Sequence, residues 1–502
     1  MIVFLKNSDW RKKVFLLIGI LTSALILRCW RISAVGLWMD EAWRIYEGQF
    51  LFDLPWDKVW SPTNLYPFFL GLWAHIAGTN EIIWRMPSVV WGTASVGLIF
   101  EVARRHLGTC SALWAAALLA VSPLAVTYSQ EVGPYMLGMF LLLAIQALAP
   151  QGHLPRKWQI FCLILLGAIE VLVVPYSLFY VLTLFIGLRV GMSGRVRWLV
   201  AVAFMGLLIP AFLWFVARSQ RYPGGDYVPR VLEAAAVACS GVLNFSNGYS
   251  LFSPQPFPKN LGKFPLWTLG FGLLVLLAWI FLTKEKDREM RMMWMGFSGS
   301  ILLLWLITLI SHQTYERYFL IFQPIAILLC LRGVALIQAG RWMVPVRRLA
   351  LTGLFSFWLT SSLTSSYAVV WKGPHREALT ALRLAAEPGG GATCLVPYPF
   401  EWPIAFFYLQ KTEILLQPMT VNFYADLREA LALKNTELQD LAAFQLHQCI
   451  QKHPRQIFFY TQSAPEMLPK FREILGAGYG ESVVFQKEGV QVLEFRKTVN
   501  AR

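Results

Sequence analysis

Gly36-Leu37-Trp38-Met39-Asp40-Glu41-Ala42-Trp43-Arg44-Ile45-Tyr46 sets two adjacent carboxylates among large aromatics, just past an apolar run at about residues 14–33. That run is long enough to cross a bilayer, which takes about 20 apolar residues. Lys6, Arg11, Lys12 and Lys13 precede it, and Arg28, Trp30 and Arg31 follow in place of a small-residue cleavage site. It reads as an uncleaved signal-anchor whose basic flank stays in the cytoplasm, so Asp40 and Glu41 emerge on the far side. An Asp-Glu pair there has two readings. One is the acidic first turn of a solvated helix; the other is a catalytic base held at the membrane surface.

Composition bounds the rest. Of 502 residues, 56% are hydrophobic, 15% aromatic and 15% charged, with a mean hydropathy of +0.51. Soluble domains carry about 25% charged residues, so the chain reads as a polytopic α-helical membrane protein. The net charge is +15, and residues 1–370 hold nearly all of the excess, about 30 Lys and Arg against 16 acids. Basic cytoplasmic loops explain this without nucleic acid, and anionic headgroups or a phosphorylated lipid could use part of it. Seven cysteines form no CxxC and no metal-ligand spacing. Cys394 and Cys449 could pair in an oxidising compartment, although their spacing does not demand it.

Spans are expected at about 14–33, 82–103, 110–127, 136–149, 198–217, 264–283, 292–310, 319–338 and 349–369, with two more in 158–188 joined near Val174-Pro175-Tyr176. These make about eleven, with the N-terminus inside and the C-terminus outside. The basic segments Arg104-Arg105-His106, Arg156-Lys157, Lys284-Glu285-Lys286-Asp287-Arg288 and Arg341…Arg348 then all face the cytoplasm. Residues 64–78 are apolar but short. Were they to span, Arg104-Arg105-His106 would lie outside, so they read as an interfacial or re-entrant helix. The first outer loop is 35–81, and a second long one, 218–263, is a candidate lid. Residues 1–370 form the membrane domain. In residues 371–502, helical stretches (375–387, 401–411, 425–433, 464–475) alternate with strand-like runs (392–396, 456–461, 482–486, 490–496), which predicts a small extracytoplasmic α/β domain.

Three charged clusters fall on one outer face: Asp40 with Glu41, Glu131, and His312 with Glu316 and Arg317. Alone, Asp40-Glu41 also reads as a solvated helix start, Glu131 as a marker of the interface and Arg317-Tyr318 as an interfacial anchor. Together, from three separate loops, they suggest a cavity open to the outer leaflet. The order of motifs resembles the GT-C glycosyltransferases of the family 39 type, which include protein O-mannosyltransferases and lipid A aminoarabinose transferases. Trp38-Met39-Asp40-Glu41-Ala42 looks like that family's hydrophobic-Asp-Glu-Ala motif. Leu65-Tyr66-Pro67, Glu81, Arg85-Met86-Pro87-Ser88, Ser129-Gln130-Glu131-Val132-Gly133-Pro134-Tyr135 and Glu316-Arg317-Tyr318 resemble its later motifs, in order. Gly133 stands where the family usually has Arg, and Thr63-Asn64 where it usually has Pro-Pro.

The resemblance implies a sugar taken from a polyprenyl-phosphate carrier on the outer face and transferred with inversion to an acceptor, with membrane lipid around the site. Inversion needs a base on the acceptor and charge neutralisation on the departing phosphate. Asp40 is the expected base, with Glu41 and Glu131 as its catalytic companions. Arg317 suits the phosphate, because a guanidinium matches its geometry. His312, Tyr318, Tyr66, Tyr135, Arg85 and Glu170 complete the candidate substrate-binding set. Trp38 and Trp43 are alternative sugar-stacking or anchoring aromatics. Glu170 is an acid inside a span, a position that marks either function or a hydrogen-bonded structural carboxyl. Asp40 and Glu131 could share a divalent cation, but the family works without metal, and no cofactor is expected. Two alternatives remain: a transporter or flippase for lipid-linked sugars, disfavoured because the notable acids lie at the outer rim instead of at midplane, and an O-antigen-type polymerase or ligase. A bacterial plasma membrane is the expected location; the sugar and the acceptor (protein, lipid or glycan) are open.

Overall fold

The computed structural model describes residues 8–34, 36–50, 65–149, 157–187, 281, 284–311, 318–336, 343–365, 375–386, 393–397, 402–409, 415–416, 443, 446–447, 449–451, 456–461, 468–487 and 490–497. They are mostly helical, with one small sheet towards the C-terminus. The expected span at 198–217, nearly all of that at 264–283, the 218–263 loop and the 425–433 helix lie outside the described residues.

Helix α1 (Ser8–Cys29) is followed by the short α2 (Met39–Phe50) and α3 (Leu65–Ala77). Helix α4 (Glu81–Ala120) has 40 residues. Straight, it would run roughly 60 Å at about 1.5 Å per residue, twice the apolar thickness of a bilayer. It breaks instead at Gly108, with φ 76° and ψ 168°, a conformation open essentially to glycine alone. The break follows Arg104-Arg105-His106, where the sequence places a turn between two spans. Then come α5 (Pro123–Ser129), α6 (Tyr135–Leu148) and α7 (Lys157–Val173), a 3-10 turn at Pro175–Ser177, and α8 (Leu178–Gly187). Pro175 supplies no backbone N–H, so the 158–188 run divides where expected. Helix α9 (Arg288–Ser311), a 3-10 turn at Leu320–Phe322, α10 (Gln323–Leu336) and α11 (Met343–Ser365) complete the bundle. Among the described residues, α4 is the one helix both long and apolar enough to cross a membrane; α3 and α6 are shorter apolar helices, as are apolar stretches of α7, α8 and α10.

The bundle has two distinct ends. At one, Arg104 and Arg105 pair with Glu101 at 2.9 and 2.7 Å, and His106 lies 3.6 Å from Asp287 and 3.7 Å from Glu289. Glu285 pairs with Arg332 of α10 there at 2.7 Å. Twenty residues back along α4, roughly 30 Å away at about 1.5 Å per residue, Arg85 pairs with Glu41 of α2, which also accepts from Val132 of the 130–134 loop. Two of the segments that the sequence assigns to the cytoplasm, 104–106 and 284–288, thus meet at the first end, and the Asp40-Glu41 and Glu131 motifs meet at the second.

Arg28 of α1 is fully buried. Its Nε donates to Ser129 Oγ at 3.1 Å, Nη1 to the carbonyls of Ala24 and Ala120 at 3.1 Å, and Nη2 to that of Leu119 at 3.2 Å. Leu119 and Ala120 end α4, where carbonyls lack intrahelical donors and the helix dipole is negative. In the sequence Arg28 speaks only against signal cleavage; in the fold it caps one helix from another. Arg28→Leu is expected to cost about 2–3 kcal/mol, since each buried group left unpaired costs ~1–3. A lowered thermal midpoint of the detergent-solubilised protein checks this, and an unchanged one contradicts it.

The C-terminal part comprises α12 (His375–Ala385), β1 (Thr393–Pro397), α13 (Trp402–Leu409), β2 (Leu415–Leu416), β3 (Gln456–Thr461), α14 (Leu468–Leu475), a 3-10 turn at Gly476–Gly478, β4 (Tyr479–Lys487) and β5 (Val490–Lys497). The sheet order is β2-β1-β3-β5-β4. Strand β1 is parallel to β2 and β3, while β5 is antiparallel to β3 and β4. Both β1 and β3 are wholly buried because each face is covered, which is why they read as unbroken apolar runs. Cys394, Val396, Ile457 and Phe459 point to one face with Phe471 of α14. Leu395, Phe458 and Tyr460 point to the other, with Leu379 of α12 and Ile404 of α13. Cys394 and Cys449 are joined by a disulfide across a Cα–Cα distance of 6.2 Å.

Candidate active site

Helix α2 is held on two sides and polar on the third. At about 100° per residue, Glu41 and Ile45 share one face, and both are buried against the bundle. Ala42 packs in one core cluster of the C-terminal sheet, and Trp43 and Tyr46 pack against the other. Trp43 is therefore an anchor in that core, and burial pushes the Tyr46 phenol up to about 12. The remaining stripe carries Asp40, Arg44 and Glu47, all half-buried.

Glu41 and Arg85 form the frame of the site. Glu41 is fully buried and Arg85 is 1% exposed. The pair is bidentate, Nε to Oε1 and Nη2 to Oε2, both at 2.8 Å. Arg85 Nη1 also donates to the Ile32 carbonyl at 2.6 Å, and Nη2 to that of Gly36 at 3.1 Å. Glu41 Oε1 accepts from the Val132 N–H at 3.1 Å. Two charges taken from water need such geometry and further hydrogen bonds to be tolerated. The Asp-Glu motif, the 81–88 motif and the 129–135 motif, separate in sequence, therefore meet at this ion pair. Gln130 fastens the last of them by donating to the carbonyls of Leu27 and Trp30 at 3.1 and 2.9 Å.

Around this frame stand the groups open to chemistry. Asp40 and Glu41 both fall in the first turn of α2, where the helix dipole favours carboxylates. Arg44, one turn beyond Asp40, pairs with Glu47 at 2.9 Å. Burial works against its charge, but Glu47, Tyr135 and Asp40 outweigh burial and raise its pKa. Arg44 is absent from the residues expected at the site; its i,i+4 spacing from Asp40 is the signal that could have found it. Glu131 is 3% exposed. Tyr135 is half-buried and meets Tyr128 edge-on at 5.4 Å. Tyr66 is buried, its ring 6.4 Å from Trp91. Burial raises its pKa.

Two more expected residues form a separate group. Glu170 of α7 is fully buried, with Val174, Ser177 and Gly138 of α6 around it. Tyr318 pairs with Tyr176 of the same turn at 5.4 Å. His312 and Arg317 lie outside the described residues. Among the described residues, no three His, Cys, Asp or Glu side chains are grouped to hold a metal.

Residues 62–214 match the family of dolichyl-phosphate-mannose-protein mannosyltransferases. The match includes Tyr66, Arg85, Glu131, Tyr135 and Glu170 but begins after Asp40 and Glu41. By sequence, no curated protein matches the chain. Among solved structures, ArnT from Cupriavidus metallidurans bound to undecaprenyl phosphate is similar with a TM-score of 0.56 at 10% identity, over 98% of this chain and 99% of that one. The same protein in its apo state gives 0.52 at 11% identity, over 97% and 98%. The Archaeoglobus fulgidus oligosaccharyltransferase tethered to an acceptor peptide gives 0.51 at 11% identity, over 90% of this chain and 69% of that one. The arrangement of this chain is thus the GT-C fold, shared with polytopic membrane glycosyltransferases.

Proposed function

We propose that the chain is an inverting glycosyltransferase that moves a sugar from a polyprenyl-phosphate carrier to an acceptor hydroxyl or phosphate outside the cytoplasm. The observation that carries this reading is the polar stripe of α2, with Asp40 and Arg44 one turn apart on a helix locked by the buried Glu41–Arg85 pair. Asp40 takes the acceptor proton as the sugar's anomeric carbon passes from the carrier phosphate to the acceptor oxygen. Arg44, with Arg317, neutralises the leaving phosphate. Glu131 and Tyr135 orient acceptor or sugar from the facing loop. Glu41 and Arg85 hold this geometry and touch neither substrate.

In this reading the chain spans the membrane about eleven times. Exposed apolar residues on α1 (Phe15, Leu16, Ile26) and on α7 (Phe161, Leu165) face lipid. Helix α3 lies in the interface: it exposes Phe68, Leu72 and Ile76 while burying Tyr66, Leu70 and Ala74, the one-sided pattern of an interfacial helix. The Cys394–Cys449 disulfide supports an oxidising, extracytoplasmic setting for the C-terminal domain, beside the site and away from the Arg104–His106 end.

The test is the purified protein with a panel of polyprenyl-phosphate sugars, with and without EDTA, reading release of the lipid phosphate. Release from at least one donor, undiminished by EDTA, is the expected result. Tight donor binding across the panel with no release in the presence of candidate acceptors favours lipid transport instead.

A further inference from the structure

The segment that leads into α2 is gripped from both sides. Arg85 holds the carbonyls of Ile32 and Gly36 from the bundle. From the C-terminal domain, Arg376 in the first turn of α12 donates from Nη1 to the Ser33 carbonyl at 2.9 Å and from Nε to Glu81 Oε1 at 3.2 Å, with Nη2 on the other Glu81 oxygen. Tyr408 of α13 accepts from the Leu37 N–H at 2.9 Å and donates to Glu81. Burial, then the adjacent Glu81, raises the Tyr408 pKa, so the phenol keeps the proton that it donates. Glu81 and Arg85 are i,i+4 on α4 and so share a face: one binds the C-terminal domain, the other Glu41. Gly36 sits in the closest part of this joint. A Cβ there would lie 3.1 Å from both Arg376 Cβ and Tyr408 Oη.

We infer that the C-terminal α/β domain is part of the active-site frame, with Arg376 and Tyr408 as positioning residues that set the N-terminal turn of α2 and hence Asp40. The inference rests on Asp40 being the base proposed above. Leu37 is three residues before Asp40, and the Leu37–Tyr408–Glu81 hydrogen bonds tie the C-terminal domain to that turn by polar contacts. A displacement of about 1 Å at a catalytic group costs on the order of a hundredfold in rate. A polar joint this specific therefore bears on turnover even where the apolar packing of Ala42, Trp43 and Tyr46 keeps the domain docked.

The experiment uses the full-length protein in detergent, comparing wild type, Tyr408→Phe, Arg376→Met and, as a control on the domain's far pair, Arg472→Gln. Amide hydrogen exchange is read over residues 36–46 and, as internal reference, over 135–148; turnover is read on the donor identified for wild type. Tyr408→Phe and Arg376→Met are each expected to speed exchange in 36–46 by about tenfold or more and to lower kcat about ten- to a hundredfold with little change in KM for the donor, a scale set by loss of alignment. Exchange in 135–148 and both readouts for Arg472→Gln should match wild type. Unchanged exchange in 36–46 in both variants overturns the inference whatever the activity, and so does faster exchange with kcat intact. If wild type turns over no donor, faster local exchange still supports the mechanical coupling, and the failure belongs to the proposed chemistry.

Discussion

Arg85→Met is expected to destabilise the fold by about 3–5 kcal/mol, the usual cost of leaving the other half of a buried ion pair uncompensated. The side chain is 1% exposed and its partner fully buried, so no water takes over the lost bonds. Glu41 would keep only the Val132 N–H among its contacts described above, and the Ile32 and Gly36 carbonyls would lose their donor. The variant should show a lower thermal midpoint and little activity at any donor concentration. The Glu41→Leu/Arg85→Met double variant tests the cause. It removes both charges together, so its loss of stability should be smaller than the sum of the two single losses. A near-wild-type midpoint for Arg85→Met would contradict the buried pair as the frame of the site.

Asp40→Asn is expected to have the larger effect on chemistry and almost none on the fold. The amide keeps the shape of the carboxylate, and a surface substitution away from the core usually stays within about 0.5 kcal/mol. Without a base, transfer should fall by about 10²–10⁴. Glu41→Gln gives the contrast. That substitution sits one residue away but breaks the Arg85 pair, so it should lower stability and turnover together. Adjacent carboxylates that separate in this way distinguish a base from a bracket; equal behaviour would mean that Asp40 too serves only the scaffold.

Much of the fold is legible in the sequence for simple physical reasons. Apolar length located the described helices of the bundle, the basic residues at 104–106 and 284–288 located one end of it, and Pro175 located the break in 158–188. The α/β pattern after residue 371 survives because both sheet faces are covered, which makes QIFFYT at 456–461 an unmistakable buried strand. The site was legible only in part. The motifs pointed to Asp40, Glu41, Glu131 and Arg85 but not to how they divide. Whether a carboxylate faces its own chain or a substrate depends on a partner 44 residues away, as with Glu41 and Arg85, and local patterning carries no such information. Trp43 had two readings in the sequence, stacking and anchoring, because the surface that covers it comes from residues beyond 390. Arg28 and Arg376 went unread for the same reason: the carbonyls they satisfy belong to distant segments.

If Asp40 is the base for transfer from a lipid-phosphate donor, donor binding and chemistry separate in its variant. Donor affinity and lipid-phosphate release are measured together on wild type and Asp40→Asn. Affinity within a few fold of wild type, with release reduced at least a hundredfold, is the predicted result. Undiminished release by Asp40→Asn would contradict it.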